Sequence, residues 1–509
     1  MIVSADASHS MPGGEAPTPP QNSTSSQPTA PSLSLPKGGG AIRGIGETFT
    51  VAGATGTGRL ELPLPLTTGR GGLFSGLGLG YDSGAGNGPF GLGWSLSQAT
   101  ITRRTDAGLP RYLDDAESDD FLLSGAETLV PRLDGAGRPL RRAARLHGHD
   151  YRIATYLPRT EAGFARIEFW RGADDSFWRV IDGQNVTAIY GADAASRIAD
   201  PAAPGRVYSW LLSRAHDDKG NLVLYDYLAE NDAGIDIDAP HECNRDRAGI
   251  AAQRYLKRIR YCAVTPWFAD YGGDGPATAI PDRWRHQVVF DYGDHDPDTP
   301  GPDPDRPWAA RPDPFSTCRA GFELRSYRRC QRVLMFHDFP EDPGCGADCL
   351  VRSVDLVYAP AEADTATPSL LVSVAQTGWR RRAGGYLRRS LPPVTFDYAR
   401  PAIAPGPQAV AELTGGRLHD VLDGREVQLV DLHGDGRPGI LERRPDGWTY
   451  RENFSPANSP ANSPAASPAN TPPAARFGPA RAVHPLPVTA AASTAQILDV
   501  AGNGRPDLV

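Results

Sequence analysis

Cysteine is scarce in this sequence, and long apolar runs are missing. Six cysteines among 509 residues are too few to predict a disulfide framework. No run of about 18 apolar residues occurs, so we expect no transmembrane helix and no direct membrane insertion. The first residues also lack the basic and apolar regions of a Sec-type signal. The chain is therefore expected to be made in the cytoplasm without a Sec signal, and to leave the cell, if it does, by lysis, a dedicated machine or another non-classical route.

A strong excess of one charge sign is also missing. The 52 basic and 60 acidic residues are interspersed and give a net charge of −8. Neither a basic stripe for nucleic acid nor a polybasic patch for a membrane surface stands out, so we expect neither partner. By contrast, 56 glycines and 48 prolines exceed average usage. This composition predicts many turns between short strands, together with some disordered sequence.

Catalytic motifs are the third absence. The sequence has no G-x-S-x-G elbow, no H-E-x-x-H helix and no P-loop. Gly86-Asn-Gly-Pro-Phe-Gly91 matches G-x-G-x-x-G, but Pro89 and the residues after it predict a turn and a strand instead of the strand-to-helix junction that binds a dinucleotide. The pairs Asp114-Asp115 and Asp119-Asp120 lie in a polar turn region, where nothing marks either as a desolvated acid or base. We expect no enzyme and no cofactor in this chain.

Short alternating segments are abundant. Leu60-Glu-Leu-Pro-Leu-Pro-Leu66 alternates with period two, and its prolines favour an edge strand. Ile167 and Phe169 are expected on one face of a strand, with Arg166 and Glu168 on the other. Convincing amphipathic helices are scarce. These features predict an all-β protein.

The composition divides the chain into three parts. Residues 1–36 are rich in Ser, Pro, Thr, Gly and Ala and predict a disordered leader. Residues 37–405 carry the strand patterns and predict one large β domain. The texture changes again near residue 405, and residues 406–509 predict a separate repeat region.

The repeat region contains two related segments, Val427–Leu441 and Ala495–Val509. Each has an apolar strand, an acidic glycine-rich turn and a second strand. A low-complexity insert at 454–475 separates them and is expected to be disordered. Repeat arrays need several units to bury their faces, so we expect that the two blades belong to a longer, truncated array.

Four segments carry a family resemblance: Lys37–Gly46, Gly88–Thr105, Asp120–Pro131 and Arg325–His337. They resemble the N-terminal domain of the SpvB/TcdB family, to which the toxin-complex (Tc) B components belong. The resemblance implies a large β-sheet domain that joins an Rhs-type C component in a shell around a cytotoxic effector. It also implies docking to a pore-forming A component.

Two further patterns resemble modules of the same family. His216–Tyr227 resembles an Rhs/YD-type repeat, in which an Asp/Gly/Asn turn closes a hairpin with Val223, Tyr225 and Tyr227 on one face. The turns of Val427–Leu441 and Ala495–Val509 resemble FG-GAP/VCBS blades. This implies the start of a β-propeller after the large domain.

The blade turns are candidate Ca²⁺ sites, because the family's blades hold Ca²⁺ in a D-x-D-x-D-G-x-x-D loop whose oxygens converge on the ion. The candidate ligands are Asp431 and Asp435 in the first turn and Asp499, Asn503 and Asp507 in the second. His433, Gly439 and Ala501 replace expected positions of that pattern. An Asp-Gly turn held by its own hydrogen bonds is the alternative for both loops, and is favoured for the first.

The cysteines permit a second metal hypothesis. Cys345 and Cys349, with Cys318 and Cys330 upstream and His337 between, have spacings that zinc tolerates. No second C-x-x-C or H-x-x-x-H pair supports zinc. Buried free thiols, or one disulfide formed after release, are the favoured interpretation.

The favoured function is a non-enzymatic Tc B component fragment that is released to the extracellular region within a toxin complex. One alternative is the N-terminal carrier half of an SpvB-like toxin with an ADP-ribosyltransferase downstream, although the E-x-E signature of that enzyme is absent from this chain. A second alternative is an FG-GAP-bearing surface adhesin, which would need an export signal.

Overall fold

The computed structural model of the protein describes residues 48–51, 56–116, 118–125, 127–160, 163–243, 245, 247–271, 276–360, 367–398, 410–413, 424–434, 437–444, 446–454, 475–484, 496–498, 500 and 507–508. The leader predicted at 1–36 and most of the insert predicted at 454–475 lie outside these ranges. Contacts divide the chain into two compact units, Met1–Val394 and Thr395–Val509. Within the described ranges, no helix has the length and apolarity needed to cross a bilayer.

The prediction of an all-β protein is confirmed. The strands of the first unit are β1 (Thr48–Val51), β2 (Gly58–Pro63), β3 (Gly78–Asp82), β4 (Asn87–Gly88), β5 (Gly91–Leu92), β6 (Trp94–Leu96), β7 (Thr100–Arg103), β8 (Phe121–Leu123), β9 (Glu127–Pro131), β10 (Arg141–Leu146), β11 (His149–Pro158), β12 (Arg166–Arg171), β13 (Ser176–Ile181), β14 (Thr187–Tyr190), β15 (Arg197–Asp200), β16 (Ala203–His216), β17 (Leu222–Ala229), β18 (Arg254–Ala263), β19 (Trp284–Asp291), β20 (Phe315–Thr317), β21 (Leu324–Ser326), β22 (Arg332–Phe339), β23 (Gly346–Tyr358), β24 (Leu371–Arg382), β25 (Gly385–Ser390) and β26, which begins at Val394 and ends in the second unit at Thr395. In the part of the chain that the structure describes, helix is limited to α1 (Arg247–Ile250) and to 3₁₀ turns at Arg70–Gly72, Asp114–Ala116, Ala194–Ser196 and Pro240–Glu242.

The first unit begins with a four-stranded antiparallel sheet in the order β1-β2-β3-β6. The prediction of an edge strand at Leu60–Leu66 is wrong, because β2 lies between β1 and β3. The prolines are tolerated because β1 pairs only with Gly58–Glu61. Pro63, the last residue of β2, pairs with Gly78 on one side only, so no ladder hydrogen bond is lost on the other.

Eight strands form a closed ring of antiparallel pairs. The order β7-β8-β9-β11-β12-β13-β14-β16 returns to β7, since β9 pairs with β11 and β16 pairs with β7. Every ring strand contributes to one core cluster of buried side chains, which are Ile101, Phe121, Leu129, Tyr156, Ile167, Phe169, Trp178, Tyr190, Val207, Trp210 and Leu212. Eight strands enclose a space that side chains can just fill. The ring is therefore filled by its own core.

The side chains of β12 alternate between two apolar clusters, one on each face of the ring. Ile167 and Phe169 join the interior cluster, and Phe169 stacks on Trp178 with ring centroids 4.5 Å apart. Trp170 instead joins a second apolar cluster. The predicted alternation is confirmed, and Glu168 on the opposite face is itself fully buried. Arg179 from the next strand donates to it at 2.6 Å.

From β16 the chain continues as a long antiparallel meander in the order β16-β17-β18-β19-β22-β23-β24-β25. β16 therefore belongs to both the closed ring and the meander. The segment after β2 packs on the meander, where Phe74 meets Tyr261 with ring centroids 4.4 Å apart. In the same region, the Thr67 hydroxyl lies 2.8 Å from His337 Nε2.

The second unit, which holds the last residue of β26, continues with β27 (Val410–Leu413), β28 (Val427–Val430), β29 (Gly439–Arg444), β30 (Gly447–Arg451), β31 (Ala475–Phe477), β32 (Arg481–Ala482), β33 (Ile497–Leu498) and β34 (Asp507–Leu508). Strands β28, β29, β30 and β32 form a four-stranded antiparallel sheet. The strand–turn–strand prediction for Val427–Leu441 is confirmed. A propeller stays a prediction.

Candidate functional site

The segment Arg325–His337 carries several buried or half-buried arginines that bond to surrounding loops. Arg328 is fully buried, and its Nε donates to Glu230 Oε1 at 2.6 Å. Its other nitrogens donate to the backbone carbonyls of Ala233 at 2.8 Å and Asn231 at 2.7 Å. A planar guanidinium can serve several acceptors at once, so Arg328 ties the end of β17 and the loop after it to the start of β22. We call Arg311, Arg325, Arg328, Arg329 and Arg332 the arginine cluster.

Arg332 and Arg329 extend these contacts to other loops. Arg332 donates to Asp291 Oδ2 at 2.6 Å and to the carbonyl of Asp296 at 2.9 Å. Arg329 donates to the Ser369 hydroxyl at 2.6 Å and lies over the ring of Tyr358. Arg332 thus supplies a donor to a loop carbonyl, and Arg329 supplies one to a loop hydroxyl.

The glycine-rich turn at 86–94 packs directly against this cluster. Arg311 donates to the carbonyl of Gly88 at 2.9 Å, and the backbone N–H of Cys330 donates to the carbonyl of Pro89 at 2.8 Å. Gly91 has a φ of 94°, and a Cβ on it would lie 2.6 Å from the carbonyl oxygen of Ser369. The glycines therefore permit a close backbone approach, and the turn leads into strands β5 and β6, not into a helix.

The electrostatics of this region favour a structural role. Burial alone would raise the pKa of Asp313, but hydrogen bonds from Arg311, Ser369 and Asn87 outweigh it and lower that pKa to about 2. Burial raises the pKa of the Cys330 thiol well above its usual value. A permanently ionised carboxylate paired with arginine and a protonated thiol supply neither a general acid nor a nucleophile near neutral pH.

The carboxylate pairs found in the sequence also bind arginine. Arg103 is fully buried and its Nη1 lies 2.6 Å from Asp114 and 2.7 Å from Asp119. Backbone N–H groups of Arg111 and Tyr112 also donate to Asp119. Although burial opposes it, these N–H groups and Arg103 lower the pKa of Asp119. The loop after β7 is thereby held on the closed ring.

The candidate Ca²⁺ residues are only partly described. Asp431 Oδ1 accepts hydrogen bonds from the backbone N–H groups of His433 and Gly434 at 3.2 and 2.8 Å. Asp507 Oδ2 accepts one from the N–H of Val500 at 3.1 Å. Asp435, Asp499 and Asn503 lie outside the described residues. Calcium binding at either turn stays a prediction.

The hairpin predicted at His216–Tyr227 is confirmed. Asp217 Oδ1 accepts from the N–H groups of Lys219 and Asn221, each at 2.9 Å. Gly220 takes a φ of 82° in the turn between β16 and β17. This Asx-type turn accounts for the Asp, Gly and Asn of the pattern.

Sequence reasoning missed a buried lysine. Lys257 is the extra residue of a β-bulge, because Leu256 and Arg258 of β18 face consecutive residues of β17. Its ammonium group donates to Asp294 Oδ2 at 2.6 Å and lies 2.8 Å from His295 Nε2. Burial lowers the pKa of Lys257, and the nearby Asp294 opposes this shift. A bulge leaves no periodic signal in sequence, so this ion pair could not be found there.

The structure brings together fewer of the candidate zinc ligands than a zinc site needs. The Cys330 thiol points to the carbonyl of Arg332 in the arginine cluster, whereas Cys345 and Cys349 neighbour each other at the far end of β22 and β23. Cys318 is exposed in a separate turn. Over the described ranges, no three His, Cys, Asp or Glu side chains are arranged to hold a metal ion.

Comparison with known proteins gives consistent matches. The profile of the family described as SpvB, Salmonella virulence plasmid 65kDa B protein, matches residues 52–339. The mono(ADP-ribosyl)transferase SpvB of Salmonella typhimurium is 38% identical over 339 residues, which cover 64% of this chain and 54% of that protein. The chain therefore spans about half the length of the curated relatives that it matches.

Solved structures match as well. The N-terminal domain of the effector SpvB from Salmonella typhimurium strain LT2 has a TM-score of 0.54 and 35% identity, with 66% of this chain and 98% of that chain covered. The TcdB2-TccC3 structure has a TM-score of 0.66 and 30% identity, with 92% and 22% covered. The Tc holotoxin pore of Photorhabdus luminescens has a TM-score of 0.69 and 30% identity, with 95% and 21% covered.

Proposed function

Because the chain belongs to the SpvB family, we propose that it is the N-terminal part of a Tc B component. In this proposal the protein is not an enzyme. It forms part of a shell, together with an Rhs-type C component, around a cytotoxic effector, and the assembly docks to a pore-forming A component. The complex is released from a bacterial cell and acts outside it.

The observation that carries this proposal is the extent of the structural match. The SpvB domain covers about two thirds of the chain, whereas the TcdB2-TccC3 match covers 92%. The second unit makes up more than a fifth of the chain, so the longer match must extend into it. The similarity to TcdB2-TccC3 therefore reaches beyond the β-rich first unit and into Thr395–Val509.

The buried polar contacts of the first unit support a wall-like role. The arginine cluster and the Arg103 contacts tie loops to sheets, and each of these arginines except Arg329 pairs with a carboxylate. Such interactions fix the position of each loop and leave little capacity for acid–base chemistry. A protective shell requires this kind of rigidity.

The test is assembly with a C component. The complete gene product that contains this chain is co-expressed with a TccC3-type C component, and the complex is isolated by size exclusion. We expect co-elution and protection of the effector segment from added protease, whereas the C component alone leaves it exposed. Separate elution with full proteolysis of the effector would contradict the proposal.

The carrier half of an SpvB-like toxin is the second candidate, and the 38% identity to a mono(ADP-ribosyl)transferase favours it. The same preparation distinguishes the two. NAD-dependent labelling of a host-cell extract by the complete protein alone, without a C component, would support the carrier half.

A further inference from the structure

The end of the β22–β23 hairpin brings two cysteines together. The chain turns at Asp342, whose carbonyl accepts from the N–H groups of Cys345 and Gly346 at 3.1 and 2.7 Å. His337 faces Cys349 and Phe339 faces Gly346, with a register shift between them. Two residues along β22 are therefore opposed by three along β23, and this bulge lets Cys345 approach Cys349.

The local backbone is shaped for this approach. Gly346 and Asp348 both take left-handed conformations, with φ of 74° and 48°. Asp348 is held there because Arg381 of β24 donates to its carbonyl at 2.9 Å. The Cys345 thiol lies 3.9 Å from the carbonyl of His337 and neighbours the Cys349 thiol.

The two thiols differ in solvent exposure, and the same arginine side chain interacts with both. Cys349 is buried, whereas Cys345 is partly exposed. The Arg381 guanidinium interacts electrostatically with both, and at Cys345 it opposes the rise in pKa that burial and the neighbouring Cys349 cause. This combination of an accessible thiol, a buried partner and a fixed positive charge does not occur at Cys243 or Cys318, which are simply exposed.

We propose that Cys345 and Cys349 are a redox modification site that closes to a disulfide under oxidising conditions, with oxidised glutathione or a similar disulfide as the oxidant. The Cys345 thiolate attacks one sulfur of oxidised glutathione, forms a mixed disulfide and releases one glutathione thiolate. The Cys349 thiolate then attacks the Cys345 sulfur and releases the second. The two protein thiols lose two electrons and two protons, and oxidised glutathione gains them as two reduced glutathione molecules.

The disulfide would fix the bulge and with it the contact between Asp348 and Arg381. The hairpin end is then rigid in an oxidising environment and is released again by a reducing one. This inference does not depend on the proposed delivery function, because it rests on the hairpin alone.

The experiment uses the intact protein with oxidised glutathione at pH 8, followed by alkylation and peptide mapping by mass spectrometry. We expect a Cys345–Cys349 cross-link, seen as the loss of two hydrogens, while exposed Cys243 and Cys318 carry glutathione instead and serve as internal controls. Burial and the neighbouring Cys349 raise the pKa of Cys345 to about 11. The rate should therefore rise about tenfold per pH unit between about pH 7 and 9.

Variants separate the two steps of the reaction. In Cys349→Ser, Cys345 should stop at the glutathione mixed disulfide, whereas Cys243→Ser should leave the cross-link unchanged. A stable glutathione adduct on Cys345 of the unmutated protein would overturn the proposal, as would a Cys345 that stays alkylatable. The unmutated protein alone gives either the cross-link or one of these contrary outcomes. The test therefore stands even if Cys349→Ser fails to fold.

Discussion

Replacing Arg328 by methionine tests whether the arginine cluster holds the first unit together. Methionine keeps an unbranched apolar stem but removes the guanidinium group, with its charge and its five donors. Glu230 then loses its 2.6 Å partner, although it still accepts from the Tyr255 hydroxyl at 2.6 Å and the N–H of Tyr327 at 3.0 Å. The carbonyls of Asn231 and Ala233 lose their donors as well.

The magnitude follows from these losses. Removing one partner of a buried ion pair costs about 3–5 kcal/mol, and both side chains of this pair are fully buried. The double variant Arg328→Met/Glu230→Gln removes the uncompensated charge, so we expect it to recover about 1–2 kcal/mol. It leaves the two carbonyls unsatisfied and should remain less stable than the unmutated protein.

Urea unfolding monitored by tryptophan fluorescence measures these differences as shifts of the midpoint at constant slope. The matched control is Arg389→Met on exposed β25, which should change stability by less than about 0.5 kcal/mol. A loss of less than about 1 kcal/mol for Arg328→Met would refute the reasoning, as it would place the cluster among ordinary surface charges.

Two further predictions concern backbone shape and pH. Gly93 and Gly148 have similar φ of 79° and 82°, but a Cβ on Gly93 would lie 2.5 Å from the Tyr81 ring, whereas one on Gly148 meets nothing within 4 Å. Gly93→Ala should therefore cost about 2 kcal/mol more in the free energy of unfolding than Gly148→Ala, measured as a larger drop of the urea midpoint. Equal losses would contradict the steric account. Burial lowers the pKa of His216 and of His286 to about 4, below the value of about 6.5 expected in the unfolded chain. Between these pH values the unfolded state binds more protons than the folded state. The stability that the two neutral histidines contribute is therefore fully present above about pH 6.5 and is lost as the pH falls toward 4. Melting temperatures measured across this range should decline less steeply in His286→Phe, and an unchanged slope would exclude His286 as a cause.

Local patterns were sufficient to predict the all-β class and several elements. The alternation of Ile167 and Phe169 and the turn at Asp217–Asn221 depend on neighbours within a few residues, so sequence reports them directly. The edge-strand prediction at Leu60–Leu66 failed because strand order is not local. The prolines favoured an edge strand, but β2 is central and they lie beyond the residues that pair with β1.

The polar contacts of the site could not be predicted for the same reason. Glu168 meets Arg142 and Arg179, and Arg328 meets Glu230 at a separation of 98 residues along the chain. Such partners are set by strand pairing and loop packing, which a single sequence does not encode in any periodic form. Arg325–His337 was recognised as a family segment, but its role in tying loops together was visible only in the structure.

The double membership of β16 has a consequence for how this protein can change over evolutionary time. Along Arg214–His216 the strand pairs with β14 on one side and with β17 on the other. Inserting or deleting a single residue there would turn the following side chains to the opposite face in the ring and in the meander together. Substitutions in β16 can be absorbed one at a time, but its length is constrained by two sheets at once. We therefore expect homologous chains to differ in length at the turns and to keep the number of residues in this strand.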